Sequence, residues 1–127
     1  MVDKVLLTGI SGWIGKHTAI ELLNSGYEVL GTIRNNSLVN QTKETISKYA
    51  SIEKLSFVEL DLVKDEGWNE AAKGCKYIMH IASPFPMKVS NNRESLLPPA
   101  VDGTLRVLNA GLNAGVKEII KTSSIVA

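Results

Sequence analysis

Short blocks of near-continuous apolar residues alternate along the chain with longer stretches in which apolar residues recur every three or four positions. Lys4-Val5-Leu6-Leu7-Thr8, closed by Gly9, reads as a buried strand. From Trp13 to Ser25 the period becomes helical. Ile14, Thr18, Leu22 and Leu23 fall on one face, and Gly26 stands where a helix-ending glycine is expected. Glu28 to Ile33 predicts a second strand. A polar stretch, Arg34 to Asn40, leads into a weak helix through about Tyr49, and Lys54 to Leu60 alternates as a third strand. A short helix near Trp68 to Lys73 ends at Gly74, and Tyr77 to Ala82 is apolar enough for a central strand covered on both faces. Ser83 to Pro99 reads as a loop holding the four prolines, 84, 86, 98 and 99. A helix is expected from about Pro99, with Val101, Leu105, Leu108 and Leu112 as its buried face, and Glu118 to Thr122 as a fifth strand.

Strict strand–helix alternation without repeat or linker predicts an α/β fold, a parallel sheet with helices on both faces. Right-handed crossovers make it a doubly wound, Rossmann-type sheet of five strands in the order 3-2-1-4-5. Residues 1–127 are expected to form one domain, with a ligand crevice outside the carboxyl ends of strands one and four.

Composition removes several alternatives. Fourteen Lys and Arg face thirteen Asp and Glu, a formal charge of +1, so no electrostatic case exists for nucleic acid or an anionic membrane as partner. Charged residues interrupt every apolar run before the roughly 18 positions a membrane span needs. The start, Met-Val-Asp-Lys, is unlike a secretory signal, and the single Cys75 has no internal disulfide partner. A cytoplasmic location is the expectation. His17 and His80 lack partners at metal-ligand spacing, so no metal site is expected, and His80 is expected to pack beside the crevice.

The turn after the first strand, Thr8-Gly9-Ile10-Ser11-Gly12-Trp13-Ile14-Gly15, carries the strongest chemistry. Gly9 permits a sharp turn, Gly12 lets a diphosphate approach the backbone, and Gly15 lets the helix pack closely on the sheet. Free amides and the positive end of the helix would face the anion. Trp13 either packs on its helix or covers the phosphates. At the end of the second strand, where a site for NAD places an acidic residue, stands Arg34. A guanidinium offers a planar fork of donors to a 2′-phosphate, so NADP is the expected cofactor. After the third strand Asp61 could accept from the adenine amino group while Leu62 covers the ring edge; a turn or capping role is the alternative for Asp61.

These segments, with His80-Ile81-Ala82-Ser83-Pro84-Phe85-Pro86, Pro99-Ala100-Val101-Asp102-Gly103-Thr104 and Lys121-Thr122-Ser123-Ser124, resemble the extended short-chain dehydrogenase/reductase superfamily, the NAD-dependent epimerase/dehydratase family. Within it the chain is most similar to the dihydroflavonol reductase, cinnamoyl-CoA reductase and aldehyde reductase group. The resemblance implies that Ile81, Ala82 and Ser83 line the ribose and nicotinamide side of the cofactor. It also implies that Ser124, with Ser123 as the neighbouring alternative, holds the carbonyl oxygen of a small-molecule ketone or aldehyde substrate.

One departure stands out. The family's proton donor is a tyrosine followed four residues later by lysine, yet Tyr27, Tyr49 and Tyr77 are followed at that spacing by Gly31, Glu53 and Ile81. The resemblance covers only the first mononucleotide-binding half. The expectation is therefore an N-terminal portion of a reductase (a truncated product, a cleaved piece or an engineered one), with weak or no cofactor binding by itself and no turnover. An exposed strand edge near Ile119-Ile120 is expected to pair with another copy. Competing readings are a nucleotide-sugar epimerase or dehydratase, against which Arg34 speaks, and a non-catalytic dinucleotide-binding module.

Overall fold

β1 (Lys4–Thr8) is the axis of the molecule, because it is hydrogen-bonded on both sides and covered on both faces. In this computed structural model, which describes residues 3–61, 67–81 and 97–121, it is followed by α1 (Trp13–Asn24), β2 (Glu28–Ile33), a 3₁₀ turn (Asn36–Leu38) and α2 (Val39–Ser47). Then come β3 (Leu55–Glu59), α3 (Trp68–Ala72), β4 (Tyr77–His80), α4 (Leu97–Ala114) and β5 (Glu118–Lys121). All strands are parallel and lie in the order β3-β2-β1-β4-β5, as the alternation predicts. Val5 pairs with Val29 on one side and Tyr77 on the other, which fixes the register of the sheet's centre.

Successive side chains of a strand point to opposite faces, so adjacent leucines of β1 serve two cores. Leu6 packs with Ile78, Trp68, Ala71, Val107 and Ala110 beneath α3 and α4. Leu7 packs with Ile10, Ala19, Val29 and Ile46 beneath α1 and α2. Both are fully buried, and burying each stabilises the fold by roughly 1.5–3 kcal/mol.

The expected buried faces of two helices need correction. On α1, Ile14 is 51% exposed, while Gly15 and Ala19 are the residues buried against the sheet, with Leu22 and Leu23 partly buried at the side. On α4, Leu105, Leu108 and Leu112 face outward, Leu112 at 77% exposure, and Val107, Ala110 and Gly111 dock instead. The side chain of Val101 lies outside the described residues. The cause is the same in both helices: the helix–sheet distance is set by the smallest side chains. A Cβ added at Gly111 would reach the Cδ1 of Ile119 at 2.6 Å, and one at Gly15 would fall on the carbonyl oxygen of Gly9. α4 also begins at Leu97, ahead of the expected start near Pro99. Proline is tolerated there, since first-turn amides have no intrahelical acceptor.

At the other end of the sheet, β5 pairs with β4 and with no other strand among the described residues, and Ile120 is half exposed. Among the described residues no helix is long and apolar enough to cross a membrane.

The corrected face of α4 predicts unequal costs for two similar truncations. Val107→Ala should lower the unfolding free energy by about 2 kcal/mol, whereas Leu112→Ala should change it by about 0.5 kcal/mol or less. Urea unfolding of both variants decides this, and equal losses would contradict the assignment.

Candidate functional site

Gly9 opens the turn between β1 and α1 with φ of 75°, a left-handed conformation that suits glycine. Its amide donates to the Thr32 hydroxyl (3.3 Å), and the Ile10 amide donates to the Thr32 carbonyl (3.4 Å), so the turn is sewn to β2. Ile10 is completely buried and lies over Gly31, where an added Cβ would come within 2.5 Å of its Cδ1. A turn at the protein surface is thereby anchored by an apolar side chain pointing inward.

The opposite lip is held by Thr8. Its hydroxyl accepts the amide hydrogen of Ile81 at 2.9 Å and shares a 2.8 Å hydrogen bond with Nδ1 of His80. These contacts tie the carboxyl end of β1 to that of β4, where the switch-point crevice is expected. His80 is buried. Burial first, and the charge of Lys121 second, lower its pKa from 6.5 to about 4, so the imidazole is neutral at physiological pH.

Of the glycine turn, Gly12 is the N-cap of α1 with ordinary extended dihedrals, φ −77° and ψ 168°. A Cβ there would meet only the Gly9 carbonyl oxygen at 3.5 Å, an ordinary contact. Internal packing therefore demands glycine at 15 and not at 12. Among the described residues no side chain caps α1, and its first turn carries no acidic residue to offset the positive helix end. Ser11 is partly buried in the turn. The Trp13 ring is 78% exposed and packs edge-on against His17, with centroids 4.8 Å apart.

Arg34 follows β2, exposed, and among the described residues it makes no ion pair. The segment beyond it is ordered by short-range bonds: Oδ1 of Asn35 accepts the Ser37 amide at 2.9 Å, and the Glu59 carboxylate accepts the Asn36 amide at 3.0 Å. Asp61 lies partly buried after β3, and its carbonyl accepts the indole N–H of Trp68 at 3.1 Å. It does not cap α3, whose N-cap is Gly67. Ile81 is partly buried beside Thr8. Leu62, Ala82, Ser83, Ser123 and Ser124 lie outside the described residues.

The fold thus gathers Gly9, Ser11, Gly12, Gly15 and Ile81 at the ends of β1 and β4, with Arg34 and Asp61 after the neighbouring strands β2 and β3. It also shows supports the sequence did not announce: Thr8, Thr32, Ile10 and Gly31. A threonine at a strand end looks like any β-former, and nothing local marks its hydroxyl as a tie between strands.

A doubly wound sheet with this turn defines a dinucleotide-fold protein, and comparison with known proteins narrows the class. Residues 5–127 match the NAD dependent epimerase/dehydratase family. The chain belongs to that family, the extended short-chain dehydrogenase/reductases. It is 36% identical over 121 residues to dihydroflavonol 4-reductase from Hordeum vulgare, covering 94% of this chain and 34% of that one. It superposes on the crystal structure of vestitone reductase from alfalfa (Medicago sativa) with a TM-score of 0.78 and 34% identity, covering 98% of this chain and 37% of that. For yeast methylglyoxal/isovaleraldehyde reductase Gre2 complexed with NADPH, the TM-score is 0.82 and the identity 27%, covering 98% and 38%. The chain therefore spans little more than a third of the length of these relatives.

The buried imidazole makes stability depend on pH. The unfolded chain takes up a proton near pH 6.5, but the folded chain only near 4. Between these values the unfolded state binds more protons, so stability should fall as pH drops below about 6.5 and level off below about 4, by up to roughly 3 kcal/mol. His80→Asn keeps an acceptor for Thr8 and should flatten this loss. Parallel urea-derived stability curves for the two proteins between pH 7 and 4 would show that His80 is not the titrating group.

Proposed function

We propose that this chain supplies the NADP(H)-binding portion of an oxidoreductase that reduces a ketone or aldehyde. The observation that carries the reading is Gly12, a glycine that internal packing does not require, at the mouth of an uncapped helix. A missing side chain there serves an approaching group, and bare amides at a positive helix end suit a diphosphate. Arg34, in no ion pair among the described residues, would face the 2′-phosphate with its guanidinium fork. Asp61 would accept from the adenine amino group, with Leu62 at the ring edge. Ile81, Ala82 and Ser83 would lie along the ribose and nicotinamide. When bound, the cofactor supplies the hydride, and the protein's part is to orient it. Ser124 would hold the carbonyl oxygen of a small-molecule substrate. The relatives named above are reductases, one of them complexed with NADPH, and this supports the reading. A nucleotide-sugar epimerase or dehydratase of the same family is the second reading; a cation at position 34 favours the first. The buried free thiol of Cys75 suits a reducing, cytoplasmic compartment.

Titration with NADPH and NADH, followed by calorimetry or amide chemical shifts, tests the site. NADPH should bind more tightly than NADH. Arg34→Ser should reduce that preference roughly tenfold. Gly12→Ala should weaken both by roughly tenfold or more while lowering stability by less than about 1 kcal/mol. Tighter binding of NADH by the unaltered chain would overturn the assignment.

We further propose that β5, paired among the described strands with β4 alone, and the outward leucines of α4 associate with a second copy of the chain. Light scattering should give a mass above 13.8 kDa that rises with concentration. A constant monomer mass would exclude self-association.

A further inference from the structure

The loop after β2 sits between two opposite charges, and only one of them belongs to the reading above. Arg34 is the sole cation among residues 34–42. Across the β2–β3 ladder, Ile33 is in register with Glu59, and the amide of Leu60 donates to the Ile33 carbonyl at 3.0 Å. Glu59 thus flanks the end of β2 from the neighbouring strand. Its Oε2 accepts the amide hydrogen of Asn36, two residues beyond Arg34, at 3.0 Å. Among the described residues neither Glu59 nor Arg34 is in an ion pair, and the two stand at the same short segment with opposite charges.

Such a carboxylate has two effects. As an acceptor it braces the 34–38 segment and occupies an amide that could otherwise point at an incoming anion. As a charge it repels that anion within the roughly 10 Å over which surface charges act at ordinary ionic strength. An adenosine carrying a free 2′-hydroxyl feels only the first effect. One carrying a 2′-phosphate feels both, against the attraction of Arg34.

We infer that Glu59 is a specificity-determining residue: its carboxylate holds the loop after β2 and, by opposing Arg34, limits the preference for a 2′-phosphorylated adenosine. This deepens the proposed function and rests on the reading of Arg34 as the group facing the ribose 2′ position. The discrimination is then a balance between one cation and one anion.

The two probes are adenosine 2′,5′-bisphosphate and adenosine 5′-monophosphate, which carry only the half of the cofactor that this loop would meet. Each is titrated into the 127-residue chain with amide chemical shifts as readout, a measurement that tolerates weak binding. Glu59→Gln retains an oxygen acceptor for the Asn36 amide and removes the charge. It should tighten the bisphosphate about three- to tenfold and leave the monophosphate within about twofold. Glu59→Ala, which also removes the brace, should weaken the monophosphate and move the amide resonances of Asn36 and Ser37 without any ligand. An unchanged ratio of the two affinities in Glu59→Gln overturns the inference while leaving the reading of Arg34 standing. If neither probe moves the amides of Gly12 to Gly15 or Arg34 in the unaltered chain, both fall.

Discussion

The structure depends on one backbone-to-backbone approach. The first turn of α1 comes so close to the end of β1 that a single methyl group at Gly15 would land on the carbonyl of Gly9. That closeness points the amino end of α1 over the carboxyl ends of the strands, and it lets Ala19 and the flanking leucines reach the same core as Leu7 and Val29. Packing and the candidate site thus share one turn but not one glycine. Gly15 lets helix and sheet touch, whereas Gly12, which packing does not require, leaves the start of the helix without a side chain.

A turn built from glycines would be loose if nothing else held it. Here three different devices hold it. Ile10 anchors it from below by burial, Thr32 takes two of its amides from the side of β2, and Thr8 links β1 to β4 through the Ile81 amide and the His80 ring. The last link lies in a dry environment, where a hydrogen bond is strong and a proton on the imidazole is costly. A neutral histidine can therefore act as a fixed strut between two strand ends, with no acid–base role required.

At the loop after β2 the proposed discrimination is electrostatic. Exposed charges on a loop are worth little individually, but they act on a ligand that differs from its competitor only by a charged group. Arg34 and Glu59 flank such a loop with opposite signs. A preference set by the difference between two modest terms can be moved by changing either. In the proposed reading, discrimination at the 2′ position would then be separate from the turn that would take the diphosphate.

Strand order, helix placement and the glycine turn were all legible in the sequence, because each rests on a local signal: apolar period, glycine spacing and strict alternation of elements. The positions of Arg34 and Asp61 beyond the second and third strands were legible as well, since they follow from where strands end. Tertiary structure alone decided which helix faces are buried. Residue hydrophobicity favours the large leucines of α4 and Ile14 of α1, whereas contact distance selects Gly15, Ala19, Val107, Ala110 and Gly111. It likewise decided the roles of Thr8, Thr32, His80 and Glu59, whose partners lie 72, 23, 72 and 23 residues away in the chain. A hydrogen bond between residues so far apart leaves no periodic trace. It exists only once parallel pairing has brought the strand ends side by side.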